Sequence, residues 1–110
     1  MIELKQGEGY VFEQVVTDSS VEGGLADLTG ASAWLSFRKV GTADIKHKVC
    51  EIDIPNSKVS GRLTGDNTQE AGNHKVEIKI WLNELPMVLM QDEVRVGTSE
   101  MPDIPTVETL

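Results

Sequence analysis

The chain has few side chains suited to catalysis. It holds two histidines, His47 and His74, and a single cysteine, Cys50. His47 and Cys50 stand three positions apart, a spacing that raises the question of a thiol–imidazole pair, and a nucleophile and its base must lie within hydrogen-bond reach. Both fall in a stretch, residues 45–54, that reads as a strand. Three positions along a strand put two side chains on opposite faces. The pair therefore reads as a surface histidine and a small buried thiol. A lone cysteine also excludes an internal disulfide and a thiolate metal cluster within one chain.

Carboxylates offer two further chemistries. Asp92-Glu93 and Glu51-Asp53 pose the question of a glycosidase pair, but Glu51 and Asp53 share one face of a strand, as on any solvated sheet surface. Asp18, Asp27, Asp44 and Asp66 fall in turns, where loop carboxylates can gather around a hard cation. No EF-hand spacing exists, and a turn Asp commonly accepts hydrogen bonds from its own backbone. None of these sets calls for a metal or a cofactor. Trp34 and Trp81 differ in kind. Both occupy the outward register of otherwise regular strands, where an indole can pack under a partner protein or stack on a sugar. The plainer alternative is a local inversion of the faces, or a sheet face covered by loops.

The elements that must position these residues are strands. Residues 10–17 place Tyr10, Phe12, Gln14 and Val16 on one face. Residues 31–40 alternate Ala31, Ala33, Leu35 and Phe37 against Ser32, Trp34, Ser36 and Arg38, the period of two that a half-buried strand requires. Residues 58–63 form a short strand, and residues 64–72 have room for one helical turn, capped by Thr64 or Asp66 and ended by Gly72. The firmest pattern is at residues 73–83. There His74, Val76, Ile78, Ile80 and Leu82 alternate with Lys75, Glu77, Lys79, Trp81 and Asn83, so the register is fixed. Asn83-Glu84-Leu85-Pro86 reads as a turn and residues 87–96 as the return strand. About seven strands with turns between them, and no helical periodicity, predict an all-β antiparallel sandwich. It spans residues 1–97. Residues 98–110 carry Pro102 and Pro105 and read as an extended tail or linker. Met101, Ile104, Val107 and Leu110 recur there every three residues, a stripe suited to lying on a neighbour.

Charge narrows the partners. Ten basic residues stand against eighteen acidic ones, for a net charge of -8. The bases are scattered, and the densest group is Lys46-His47-Lys48, so no phosphate-binding patch is expected and nucleic acid is not a partner. Acidity of this order gives solubility and self-repulsion, or matches a basic partner. No apolar run approaches the length of a membrane span. The opening Met1-Ile2-Glu3-Leu4-Lys5 lacks the basic and apolar regions of a signal peptide, which predicts synthesis and folding in a cytoplasm.

A family resemblance adds to this reading. It rests on Phe12-Glu13-Gln14-Val15-Val16-Thr17-Asp18, on Ala26-Asp27-Leu28-Thr29-Gly30-Ala31 with the strand behind it, and on Gly61-Arg62-Leu63-Thr64 with Asp66, Gly72 and Val76-Glu77-Ile78. Over residues 10–96 the chain resembles the N-terminal immunoglobulin-like domain of baseplate upper proteins of tailed phages and related tail and fibre components. That family has an aromatic residue two positions after the late glycine, where this chain has His74. The resemblance implies an immunoglobulin-like sandwich without catalytic residues or cofactors. It implies a structural module of the virion that attaches or assembles another component. Other phage structural proteins would be its partners, and a homo-oligomer, a trimer foremost, its assembly. The candidate interface residues are then Trp34 and Trp81, with Met101, Ile104 and Val107 of the tail. The second reading is a glycan- or receptor-binding sandwich with the two indoles as its platform.

Overall fold

The firmest alternation in the chain builds its longest hairpin. The computed structural model of the protein describes residues 1–20 and 23–100. Strands β7 (Gly72–Leu82) and β8 (Leu85–Gly97) pair antiparallel along their whole length. The turn between them is shorter than the sequence suggests. Asn83 and Glu84 both have positive φ, 52° and 63°, the backbone of a two-residue type I′ connection whose twist suits a hairpin. Leu85 and Pro86 thus belong to β8 rather than to the turn. Pro86 is tolerated there because strand β1 (Ile2–Lys5) covers only Val94 to Gly97 on the other side of β8, which leaves the edge of β8 open at the proline.

Among the described residues, eight strands make two sheets. β3 (Ser32–Lys39) pairs with β7, and β4 (Ile45–Val49) pairs with β3. The larger sheet therefore has the order β1-β8-β7-β3-β4. The smaller joins β2 (Tyr10–Val15), β6 (Lys58–Leu63) and β5 (Glu51–Asp53) in the order β2-β6-β5. This is the strand order of an immunoglobulin-like sandwich, with the first strand moved to the edge of the larger sheet, parallel to the last.

Three further expectations are corrected. Residues 45–54 are two strands in different sheets, not one. The chain crosses between the sheets at Cys50, whose amide donates to the Ala33 carbonyl at 2.9 Å. β1 was not foreseen, and it closes the edge of the larger sheet with Leu4 buried. Gly72 does not end the helical turn. A 3-10 turn at Gly65–Thr68 stops at Gln69, while Gly72, at φ 132°, opens β7. The Asn67 side chain steadies that turn by accepting the Thr64 amide at 2.8 Å.

The core lies between the inner faces. Leu35, Val76, Ile78 and Ile80 from the larger sheet meet Phe12, Val59 and Leu63 from the smaller, and all are buried. Burying one such side chain favours folding by about 1.5–3 kcal/mol. At Gly61 of β6 the sheets approach closely. A Cβ there would lie 2.8 Å from Leu35 Cδ1, 3.1 Å from Ile78 Cδ1 and 3.2 Å from Cys50 Sγ. Leu28, fully buried, closes the sandwich beside the short Asp27–Gly30 link, and Gly30 reverses the chain at φ 77°.

Candidate functional site

Register decides what the outer face of the larger sheet displays. Directly paired residues share a face, so the pairs Trp34↔Val49, Trp34↔Lys79 and Lys79↔Val88 make one row across four strands. Ser32↔Trp81 and Trp81↔Pro86 make the row beside it. Both indoles therefore point outward, on neighbouring strands and diagonal to each other, as the alternation in the sequence suggests. Trp81 is 44% exposed and Trp34 is half-buried. Val49 is 90% exposed and Val88 50%. The result is an apolar patch at the turn end of the face; the tip residues Leu85 and Met87 are exposed too, but in the register of the opposite face.

A β-bulge helps to make this patch. The register shifts between Ile78↔Met90 and Lys79↔Val88, leaving Leu89 as the extra residue. A one-residue shift turns every later side chain over. Without it Val88 would face the core side of the sheet. With it Val88 joins the outer face.

The next row is polar. His47, Ser36, Glu77 and Gln91 lie in line across β4, β3, β7 and β8. Ser36 Oγ and His47 Nδ1 are 2.8 Å apart, and Gln91 donates to Glu77 Oε2 at 2.8 Å. Lys79 and Glu77 form an ion pair at 3.3 Å. The bond from Gln91 above all, with the bond and charge of Lys79, holds the Glu77 carboxyl below its ordinary value, against the opposing effect of burial. A serine beside a histidine is the start of a nucleophile–base pair, but the carboxylate should then orient the imidazole. Here Glu77 lies across Ser36, on the far side from His47, and is held by other partners. The row is a hydrogen-bonded seam. A shallow groove of about 540 Å³ runs over it, with Arg38, Ile45, Lys75 and Glu93 in its walls.

Of the other residues singled out in the sequence, Glu93 lies on this face in the groove wall, whereas Cys50, His74, Asp18 and Asp27 do not join it. Cys50 is buried between the sheets, and desolvation pushes its thiol up to about 11. It lies apart from the exposed His47. His74 is buried on the inner side and stacks on Phe37, with ring centroids 4.6 Å apart and planes 8° from parallel. Its Nδ1 lies 3.1 Å from the Gly72 carbonyl; a carbonyl only accepts, so Nδ1 carries the proton. Burial lowers its pKa. Asp18 and Asp27 accept both the amide and the hydroxyl of Ser20 and Thr29, bonds that lower their pKa values. Among the described residues no group of three or more potential ligands could hold a metal ion. Met101, Ile104 and Val107 lie outside the described residues.

Sequence reasoning found the two indoles and missed their company. Val49, Val88 and the Ser36–His47 contact join them through the register between strands, and through a bulge without a signal in residue type. Compared with models of known protein families and with curated proteins, the chain matches none.

Proposed function

We propose that this domain is a non-catalytic assembly module that docks through the outer face of its larger sheet. The observation that carries the reading is the shared face of Trp34, Trp81, Val49 and Val88. An isolated domain gains little from exposing such a patch, whereas aromatic anchors ringed by polar groups are what protein interfaces are built around. The resemblance supplies the setting: a component of a tailed-phage particle, in the baseplate, a tail fibre or a virion decoration, bound to other structural proteins of the particle. The test is antibody labelling of particles purified from cells that carry the gene. Label on the particles is expected, together with its loss for Trp81→Glu at unchanged thermal stability. Particles without the chain overturn the phage setting. Full incorporation of Trp81→Glu overturns the face.

A second reading is favoured by the polar row beside the indoles. Ser36, His47, Glu77 and Gln91 offer donors and acceptors next to two flat apolar surfaces, the combination a sugar platform needs. Binding on a glycan array that is lost on Trp81→Ala would establish it.

A further inference from the structure

The two outer faces of the sandwich carry opposite charge. On the larger sheet, the front, register places Lys5, Arg38, Lys75, Lys79 and Arg95 outward with Glu3, Glu77 and Glu93. Five of the chain's ten bases fall there but, among the described residues, only those three acids. The front is thus two charges positive on a molecule of net charge -8, and the remainder is ten negative. Asp92 lies on the core side of β8 and faces the N-terminal ammonium at 3.5 Å, so that pair cancels.

The smaller sheet, the back, has Val11, Glu13, Val15, Lys58, Ser60, Arg62, Glu51 and Asp53 outward. Its net charge is one negative. Val11 and Val15 are 43% and 47% exposed, so it too has apolar surface among its charges.

We infer that the front of one copy of this chain takes the back of a second copy, a heterologous contact. This rests on the reading of the front as an interface and adds the occupant. Front against front would set five bases against five, with a net repulsion. Front against back joins a positive apolar face to a negative one, and complementary potentials of this kind fix partner and orientation. A heterologous contact closes into a ring where the rotation between copies allows it and otherwise runs on as a filament. Area sets the strength. Two strands of six residues and one of three span at most roughly 14 by 20 Å, well short of the ~800 Å² per partner of a stable complex. The contact is therefore weak, with half-assembly at about 0.1–1 mM, and gains effect where copies are already held together.

The experiment uses the full chain in analytical ultracentrifugation up to about 1 mM, at low salt and at ~0.5 M salt, where charge pairing is screened. Mass that rises with concentration, and less so at high salt, is expected. Trp81→Glu spoils only the front and Val11→Lys only the back, and each should shift half-assembly upward about tenfold or more. Val49→Glu, at the most exposed front position, substitutes for Trp81→Glu if that variant melts early. Mixed together, a front variant and a back variant each keep one sound face and should form a one-to-one pair. A wild-type chain that stays monomeric at every concentration overturns the inference. So does a back variant that assembles like wild type, since that outcome means front meets front. Either failure leaves the docking role of the front to the particle-labelling experiment, where Trp81→Glu reads it separately.

Discussion

The β7–β8 hairpin and residues 45–53 are both β structure, and they are specified in different ways. In β7 the residues His74, Val76, Ile78 and Ile80 are all buried and the outward set is polar or amphipathic. Slipping the register by one would bury Lys75 and Lys79 and expose isoleucines, so a single pairing is selected. β4 has no such set. Four of its five residues are exposed, and the fifth, Lys48, is half-buried and donates to Asn67 Oδ1 at 2.8 Å. The position of β4 comes from its partner β3, and β5 is three residues long. A strand with a buried face carries its own address, whereas an edge strand borrows one from its neighbour. The lysines turned to the core side of β4 also discourage a stray strand from adding to the open edge.

Breaking the buried face tests this contrast most sharply. Ile78→Ala removes a fully buried side chain from the strand with the firmest register. A loss of about 2–5 kcal/mol in urea unfolding is expected, and a loss below ~1 kcal/mol would mean that β7 is not the organising strand. Crowding the same site from the other sheet comes next. Gly61→Ala places a methyl against Leu35, Ile78 and Cys50, and overpacking of this kind costs about 1–3 kcal/mol. Gly61→Ala combined with Leu35→Val should recover part of that loss, because the second change makes room.

The buried imidazole gives a pH-dependent effect at the other end of β7. The His74 pKa is held below its ordinary 6.5 by burial, so the unfolded chain takes up this proton more readily than the folded one. Stability from this residue is then complete above about 6.5 and declines as the pH falls below it. Nearby Glu70, paired with Lys39 at 3.0 Å, has its pKa lowered from 4.5 by that bond and charge, so it acts only in more acidic solution. Unfolding midpoints at pH 7.5 and 5.5 should differ for the wild type and agree more closely for His74→Phe. Equal differences in both would remove His74 as the cause. The smallest effect is expected at the edge. Val49→Thr, at a position 90% exposed, should change stability by no more than about 0.5 kcal/mol, and a larger loss would show that β4 packs more tightly than its exposure indicates.

The same contrast explains what could be read from residue types. Strands β3, β6 and β7 were legible because one face of each is core, and the outward placing of Trp34 and Trp81 followed from that alternation alone. The crossing at Cys50 was not legible. Ile52 packs toward the core of one sheet and Val49 is exposed on the other, yet both are β-branched residues in an unbroken run. β1 has a true alternation, Ile2 and Leu4 against Glu3 and Lys5, but four residues are too short a signal without the partner strand in view. Val49 and Val88 joined the candidate face only once β4, β3, β7 and β8 were aligned, which is information held by pairing rather than by any one segment.

The crossing residue also provides a clock for motion. Cys50 is the sole thiol, it is buried where the chain passes from one sheet to the other, and burial pushes its pKa up to about 11. Alkylating reagents attack the thiolate, so at neutral pH a closed sandwich should leave the sulfur almost untouched. Each modification event then records a moment when the sheets have parted or the chain has unfolded. With a fast reagent the labelling rate is the opening rate. With a slow one it reports the fraction of time spent open. A single native atom thus reads both quantities without any added probe.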